Sequence, residues 1–168
     1  MSYKNKVFVS FDGDKDIHYY RLMCAWKQND YSPFNFHDAH DLNSARDTST
    51  EETIKRRLRE RLNNTKIFVL LVGESTKYLQ KFVHWEIEQA LSLGLPIIVV
   101  NLNGLRSMDS SLCPAIVRDE LAMHISFKSA ILQYAIENWP DQYQNLKNQF
   151  KTGPHYYKNE TYDQLGVT

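Results

Sequence analysis

Apolar positions along this chain fall into short continuous runs that alternate with stretches where they recur every three or four residues. KVFVSF (6–11) is a short β-rich run, and the turn-like DGDKD follows it. IHYYRLMCAWKQN (17–29) reads as a helix with Tyr20, Cys24 and Lys27 on one side. FNFHDAHD (34–41) starts as a strand and runs into polar residues. In DTSTEETIKRRLRERL (47–62), Thr48 with Glu51 or Ser49 with Glu52 fits a capping box. Ile54, Leu58 and Leu62 then repeat every four residues, which predicts a helix with one narrow apolar stripe.

IFVLLVG (67–73) is apolar throughout and ends in Gly, the pattern of a strand buried on both faces in a parallel sheet. STKYLQKFVHWEIEQALSLG (75–94) predicts a helix capped by Ser75 or Thr76 and stopped by Gly94. LPIIVVNL (95–102) is a second buried strand. Further on, MHISF (123–127) reads as a fifth strand and SAILQYAIENW (129–139) as a helix ended or kinked near Pro140. KTGPHYYKNETYDQLGVT (151–168) is aromatic but turn-rich, a docked or irregular tail. The alternation predicts an α/β doubly wound parallel sheet of about five strands with flanking helices. One domain is expected over 1–168, with its core at about 5–130 and a C-terminal extension at 131–168. Ligands of such sheets bind beyond the carboxyl ends of the strands, here SFDGD, HDAHD, GEST and NLNG.

Charge narrows the function classes. Twenty basic and twenty acidic residues cancel, so no overall field recruits nucleic acid or an anionic membrane. No apolar run approaches the roughly 20 residues needed to span a bilayer, and MSYKNKVFVSF is unlike a signal peptide, so a cytoplasmic protein is expected. Cys24 and Cys113 are far apart and form no CxxC, which indicates neither zinc nor a disulfide framework. Neither phosphate-cradling glycine motif is present, nor GxSxG, nor HExxH. HDAHDL (37–42) packs two histidines and two aspartates together, but on a strand His37 and Asp41 face one way and Asp38 and His40 the other. A polar strand end explains it better than a metal site. KRRLRER (55–61) is interleaved with Glu51, Glu52 and Glu60, as in a solvated helix face.

Chemistry concentrates in FVHWEIEQAL (82–91). At 100° per residue Val83, Ile87, Ala90 and Leu91 form a stripe toward the sheet. Glu86 lies on one shoulder with Leu79, Phe82 and Leu93, and Glu88 on the other near His84. Periodicity makes both acids boundary residues and does not rank them.

KVFVSFDGDKD, FHDAHD, IFVLLVGEST and KFVHWEIEQALSLGLPIIVV, in this order over about residues 5–103, resemble the TIR-like domains of prokaryotes, including the TIR subunits of Thoeris antiphage defence. The resemblance implies a flavodoxin-like sheet. Ser10 and Phe11 stand where that family ends its first strand in a Ser–Phe pair. His37, Asp38 and Ala39 match its aromatic-Asp-Ala pattern, with His40 replacing the usual small hydroxyl residue. In the pattern W-[VI]-x-x-E-[IL], Phe82 replaces the Trp and Glu86 stands where the family has its catalytic glutamate, so the resemblance implies that Glu86 is the candidate and Glu88 structural. The implied substrate site comprises Ser10, Phe11, Asp38 and Thr76 around Glu86, all lining one pocket at the carboxyl edge of the sheet.

The implied activity is cleavage of the nicotinamide glycosidic bond of NAD, with NAD as substrate, no cofactor and no metal. A carboxylate would hold the ribose hydroxyls and stabilise an oxocarbenium-like transition state. The ADP-ribose-derived product would signal to a separate downstream effector after a phage-derived trigger. Self-association with other TIR domains is implied too, and Tyr134, Trp139, Tyr143, Tyr156 and Tyr157 read as exposed aromatics suited to an interface. The rival is a non-enzymatic TIR-like interaction module. A response-regulator-like reading lacks an acidic pocket at the first strand and a Lys ending the fifth.

Overall fold

A computed structural model describes residues 6–29, 35–38 and 50–167; for 27–29 and 35–38 this extends to the backbone alone. Strand β1 (Lys6–Ser10) leads through a tight turn to helix α1 (Ile17–Asn29), and β2 (Asn35–Asp38) follows. Helix α2 (Glu51–Asn63) precedes β3 (Ile67–Val72). A 3-10 turn (Thr76–Tyr78) and helix α3 (Val83–Ser92) connect β3 to β4 (Ile97–Asn101). The one-turn helix α4 (Ala115–Arg118), β5 (Ala122–Ser126), the long α5 (Ser129–Asn148), β6 (Pro154–Tyr156) and α6 (Asn159–Gln164) complete the chain.

All six strands are parallel, in the order β2-β1-β3-β4-β5-β6. The α/β doubly wound class is therefore as the alternation predicts, with one strand more than expected at the edge. That strand comes from the turn-rich tail. It is three residues long and opens on Pro154, and Pro is tolerated at the start of an edge strand because no ladder donor is needed there.

Continuous apolar runs make sense because β3, β4 and β5 are buried on both faces. Alternate residues divide between two cores. Val7, Val9, Val69, Leu71, Ile98 and Val100 meet α1, α5 and the tail, whereas Phe8, Phe68, Leu70, Val72, Ile97 and Val99 meet α2, α3 and α4. On α2 the stripe is the predicted one, with Ile54, Leu58 and Leu62 buried. Its cap is Thr50, whose side chain accepts from Thr53 N at 3.2 Å; Thr48 and Ser49 lie outside the described residues.

Three expectations need correcting. The helix after β3 is not one element. Thr76–Tyr78 forms a single 3-10 turn and α3 starts only after Phe82, so neither Ser75 nor Thr76 caps it, although Gly94 does end it at φ 68°. Helix α5 does not end at Pro140 but runs from Ser129 to Asn148 with that residue inside it, and Ile131, Leu132, Ala135, Ile136, Trp139 and Tyr143 are buried on either side of it. Burial also corrects the exposed-aromatic reading: Trp139 (1%), Tyr143 (8%) and Tyr157 (8%) are buried in their own domain, and of the five only Tyr156 (63%) is widely exposed. Among the described residues no helix is long and apolar enough to cross a membrane.

Candidate functional site

The site is best built from β1. Because the strand alternates, Ser10 shares the α3 side of the sheet with Phe8, and it is fully buried. Helix α3 presents Val83, Glu86, Ile87 and Ala90 to the sheet, an i, i+3, i+4, i+7 stripe that includes the acid. Glu86 is thus 2% exposed rather than at the boundary of the helix. The Ser10 hydroxyl donates to Glu86 Oε1 at 2.6 Å, a buried contact between residues 76 apart in sequence. Glu88 lies outside this stripe, with its side chain half-exposed (51%) and 3.2 Å from His84 Nε2. Phe82, where the resembled family has Trp, packs buried at the start of α3.

The remaining predicted residues stand at the same edge of the sheet. Thr76 is buried; its hydroxyl accepts from Gly73 N at 2.9 Å and approaches Leu71 O at 3.4 Å, pinning the turn after β3. Phe11 points to the opposite face, where its ring stacks on Tyr20 at 5.0 Å between centroids. Asp38 ends β2 beside Val9, and its side chain lies outside the described residues, as do His40 and Asp41. Strand alternation places Ser10 and Phe11 on opposite faces of the sheet.

A cavity of about 300 Å³ does open at the carboxyl edge, between the segments that follow β1, β3 and β4. None of Ser10, Phe11, Thr76 and Glu86 lines it. Its walls are tied in place. Asp12 Oδ1 accepts from the backbone of Asp14 (3.0 Å) and Lys15 (3.3 Å), and Ser75 Oγ donates to Asp12 Oδ2 at 2.8 Å. Beyond β4, Asp109 accepts from Asn103 Nδ2 at 2.9 Å and from the backbone of Ser111 and Leu112. Burial pushes the Asp109 pKa up, but those donors outweigh it and the net direction is down. Asp16 is different: burial, then the Asp12 carboxylate, raises its pKa.

These acids correct the view that the first strand lacks an acidic pocket. The signal was present in DGDKD, but spacing alone does not show that Asp12 and Asp16 turn inward while Asp14 faces solvent. Nor does sequence show that Gly73 gives room to Asp16, whose Oδ2 lies 2.5 Å from where a Cβ on Gly73 would stand.

The family model for the TIR-like domain of the Thoeris protein ThsB matches residues 8–107, more than half of the chain. The chain belongs to this family. The ThsB TIR-like match begins inside β1 and ends beyond β4, so it contains Ser10, Phe11, Asp38, Thr76 and Glu86 and most of the cavity wall, although Leu112 lies beyond it. Helix α5, β6 and α6 lie beyond the matched ThsB region. Cys113, also beyond it, is fully buried, and burial raises its thiol pKa to about 11, which makes it a packing residue rather than a nucleophile.

Proposed function

We propose that this chain is a cytoplasmic NAD-cleaving enzyme of antiphage defence with Glu86 as its catalytic carboxylate. One observation carries the reading: the buried 2.6 Å bond from Ser10 to Glu86 joins two of the residues marked by the resemblance, across the sheet–helix interface. Membership of the Thoeris family supports the defence role.

In this reading the nicotinamide C–N bond breaks with its electron pair leaving on nicotinamide. The carboxylate stabilises the positive charge that develops on the ribose, and water or another acceptor then attacks the same carbon. A dry pocket strengthens that interaction. Ser10 orients the carboxylate, Asp38 and Thr76 shape the substrate side, and Phe11 anchors the end of β1 from the opposite face. Because Glu86 is 2% exposed, the arrangement is that of a resting state, and NAD reaches Glu86 once a phage-derived trigger or a neighbouring TIR domain loosens the edge. The ADP-ribose-derived product then reaches a separate effector by diffusion. No cofactor or metal takes part, and neither nucleic acid nor membrane is a partner.

Purified protein incubated with NAD, with and without lysate of infected cells, should release nicotinamide and an ADP-ribose-derived product detectable by mass spectrometry. Glu86→Gln should lower turnover roughly a hundredfold or more. Equal turnover by both proteins overturns the assignment. The burial of Glu86 also suits a second reading, an interaction module in which the Ser10–Glu86 bond only fixes α3 on the sheet; absence of turnover in wild type under every trigger would select it.

A further inference from the structure

At the amino edge of the sheet, away from the carboxyl ends of the strands, a second cavity of about 260 Å³ opens between the ends of α3 and α5 and the starts of β4 and β5. Leu91, Leu95, Leu121 and Tyr143 give it apolar walls. Gly94 has no side chain, and the Lys147 ammonium stands 3.2 Å from where its Cβ would be. The same ammonium is 5.5 Å from the centre of the Tyr143 ring. Apolar side chains beside a cation are surroundings that suit an aromatic ring.

An aromatic ring stands next to this cavity and outside it. Helix α5 ends in a Schellman turn, in which the Lys151 amide donates to Leu146 O and the Phe150 amide to Lys147 O, both at 3.0 Å. The turn holds residue 150 at a φ of 60°, where Gly is usual and a bulky side chain is strained. This chain places Phe there and leaves it 95% exposed, so no contact within its own fold offsets the strain. Lys147, Lys151 and Thr152 line the cavity, but Phe150 does not. A projecting ring beside a ring-sized cavity is self-complementary about a two-fold axis, because each copy then offers its ring to the cavity of the other. Charge agrees with that pairing: Lys151, the neighbour of Phe150, is exposed, and so is Glu120 on the cavity wall. Phe150, Lys151 and Glu120 all lie beyond residues 8–107, so this surface is not carried by the match to the ThsB domain.

We propose that two copies of this chain pair through their amino edges, the Phe150 of each entering the cavity of the other, with Lys151 of each against Glu120 of the other. The pairing leaves both carboxyl edges free, and it does not depend on NAD being cleaved. A contact this small is a transient one, with a dissociation constant on the order of 10–100 µM.

Sedimentation velocity on the full chain, from about 1 µM to about 300 µM, tests it. Wild type should pass from monomer to dimer and stop there. Phe150→Ala should weaken pairing by about tenfold or more. Its urea midpoint at about 1 µM, where the monomer alone is present, should equal that of wild type. Lys151→Glu and Glu120→Lys should each weaken pairing roughly fivefold, since each sets like charges together in its own dimer. An equimolar mixture of these two variants should pair as tightly as wild type, because every contact in the mixed dimer again joins opposite charges. The proposal is overturned if wild type is still monomeric at about 300 µM or assembles beyond the dimer. Pairing by Phe150→Ala as tight as that of wild type, or a mixture that pairs no better than its two components, overturns it as well.

Discussion

A hydroxyl 2.6 Å from a carboxyl oxygen, both sealed from water, makes Ser10 and Glu86 a single unit rather than two site residues. Removing the hydroxyl takes away a buried hydrogen bond to that carboxyl group. Ser10→Ala is therefore expected to cost about 1–3 kcal/mol in urea denaturation. Glu88→Gln, which disturbs only a half-exposed pair with His84, should stay within about 0.5 kcal/mol of wild type. Similar losses from both substitutions would place the two acids in equivalent environments. Periodicity left them equivalent because a helical wheel gives angles but not which neighbour covers each shoulder. The shoulder at Glu86 is covered by β1, and that contact spans 76 residues. The resemblance ranked the two acids where periodicity did not, since W-[VI]-x-x-E-[IL] singles out one position.

At the scale of elements, legibility followed the apolar pattern. Strands β3 and β4 were readable because burial on both faces demands unbroken apolar runs. The tail was not, since its elements are short and their burial depends on a partner far away in sequence. In β6 only three residues pair, and α6 has six, yet Tyr162 on α6 is fully buried and accepts from Ser126 N at 3.3 Å. Arg106, from the segment after β4, lies 4.1 Å over the same ring and clamps it from outside. The extension is thus part of the core rather than an appendage. Tyr162→Ala should cost about 3–5 kcal/mol, read as a lower denaturant midpoint. Phe150→Ala should be nearly neutral, because Phe150 is 95% exposed and holds a φ of 60° that suits no bulky side chain. A tail that can be destabilised at Tyr162 with no effect on global unfolding would instead be an independent unit.

For the whole molecule, pH reveals what the buried groups cost. His124 sits fully buried on β5 between Val99 and Tyr156, with neither ring nitrogen hydrogen-bonded, and burial lowers its pKa from 6.5 to about 4. The folded protein therefore keeps His124 neutral while the unfolded chain takes up a proton below its ordinary value of 6.5. Its contribution to stability is fully present above that value and is lost as pH falls from 6.5 toward about 4. The slope should approach about 1.4 kcal/mol per pH unit, for a total of about 3 kcal/mol. Asp16 acts in the opposite sense. Its folded pKa is raised above 3.8, so its contribution is greatest below that value and is lost as pH rises through the folded pKa. Asp16→Asn should consequently raise the melting temperature at neutral pH and have little effect in acid. His124→Leu, which keeps an apolar side chain of similar bulk in the core, should flatten the fall in stability between pH 6.5 and 4. An unchanged acid slope in His124→Leu would place the proton uptake on another group.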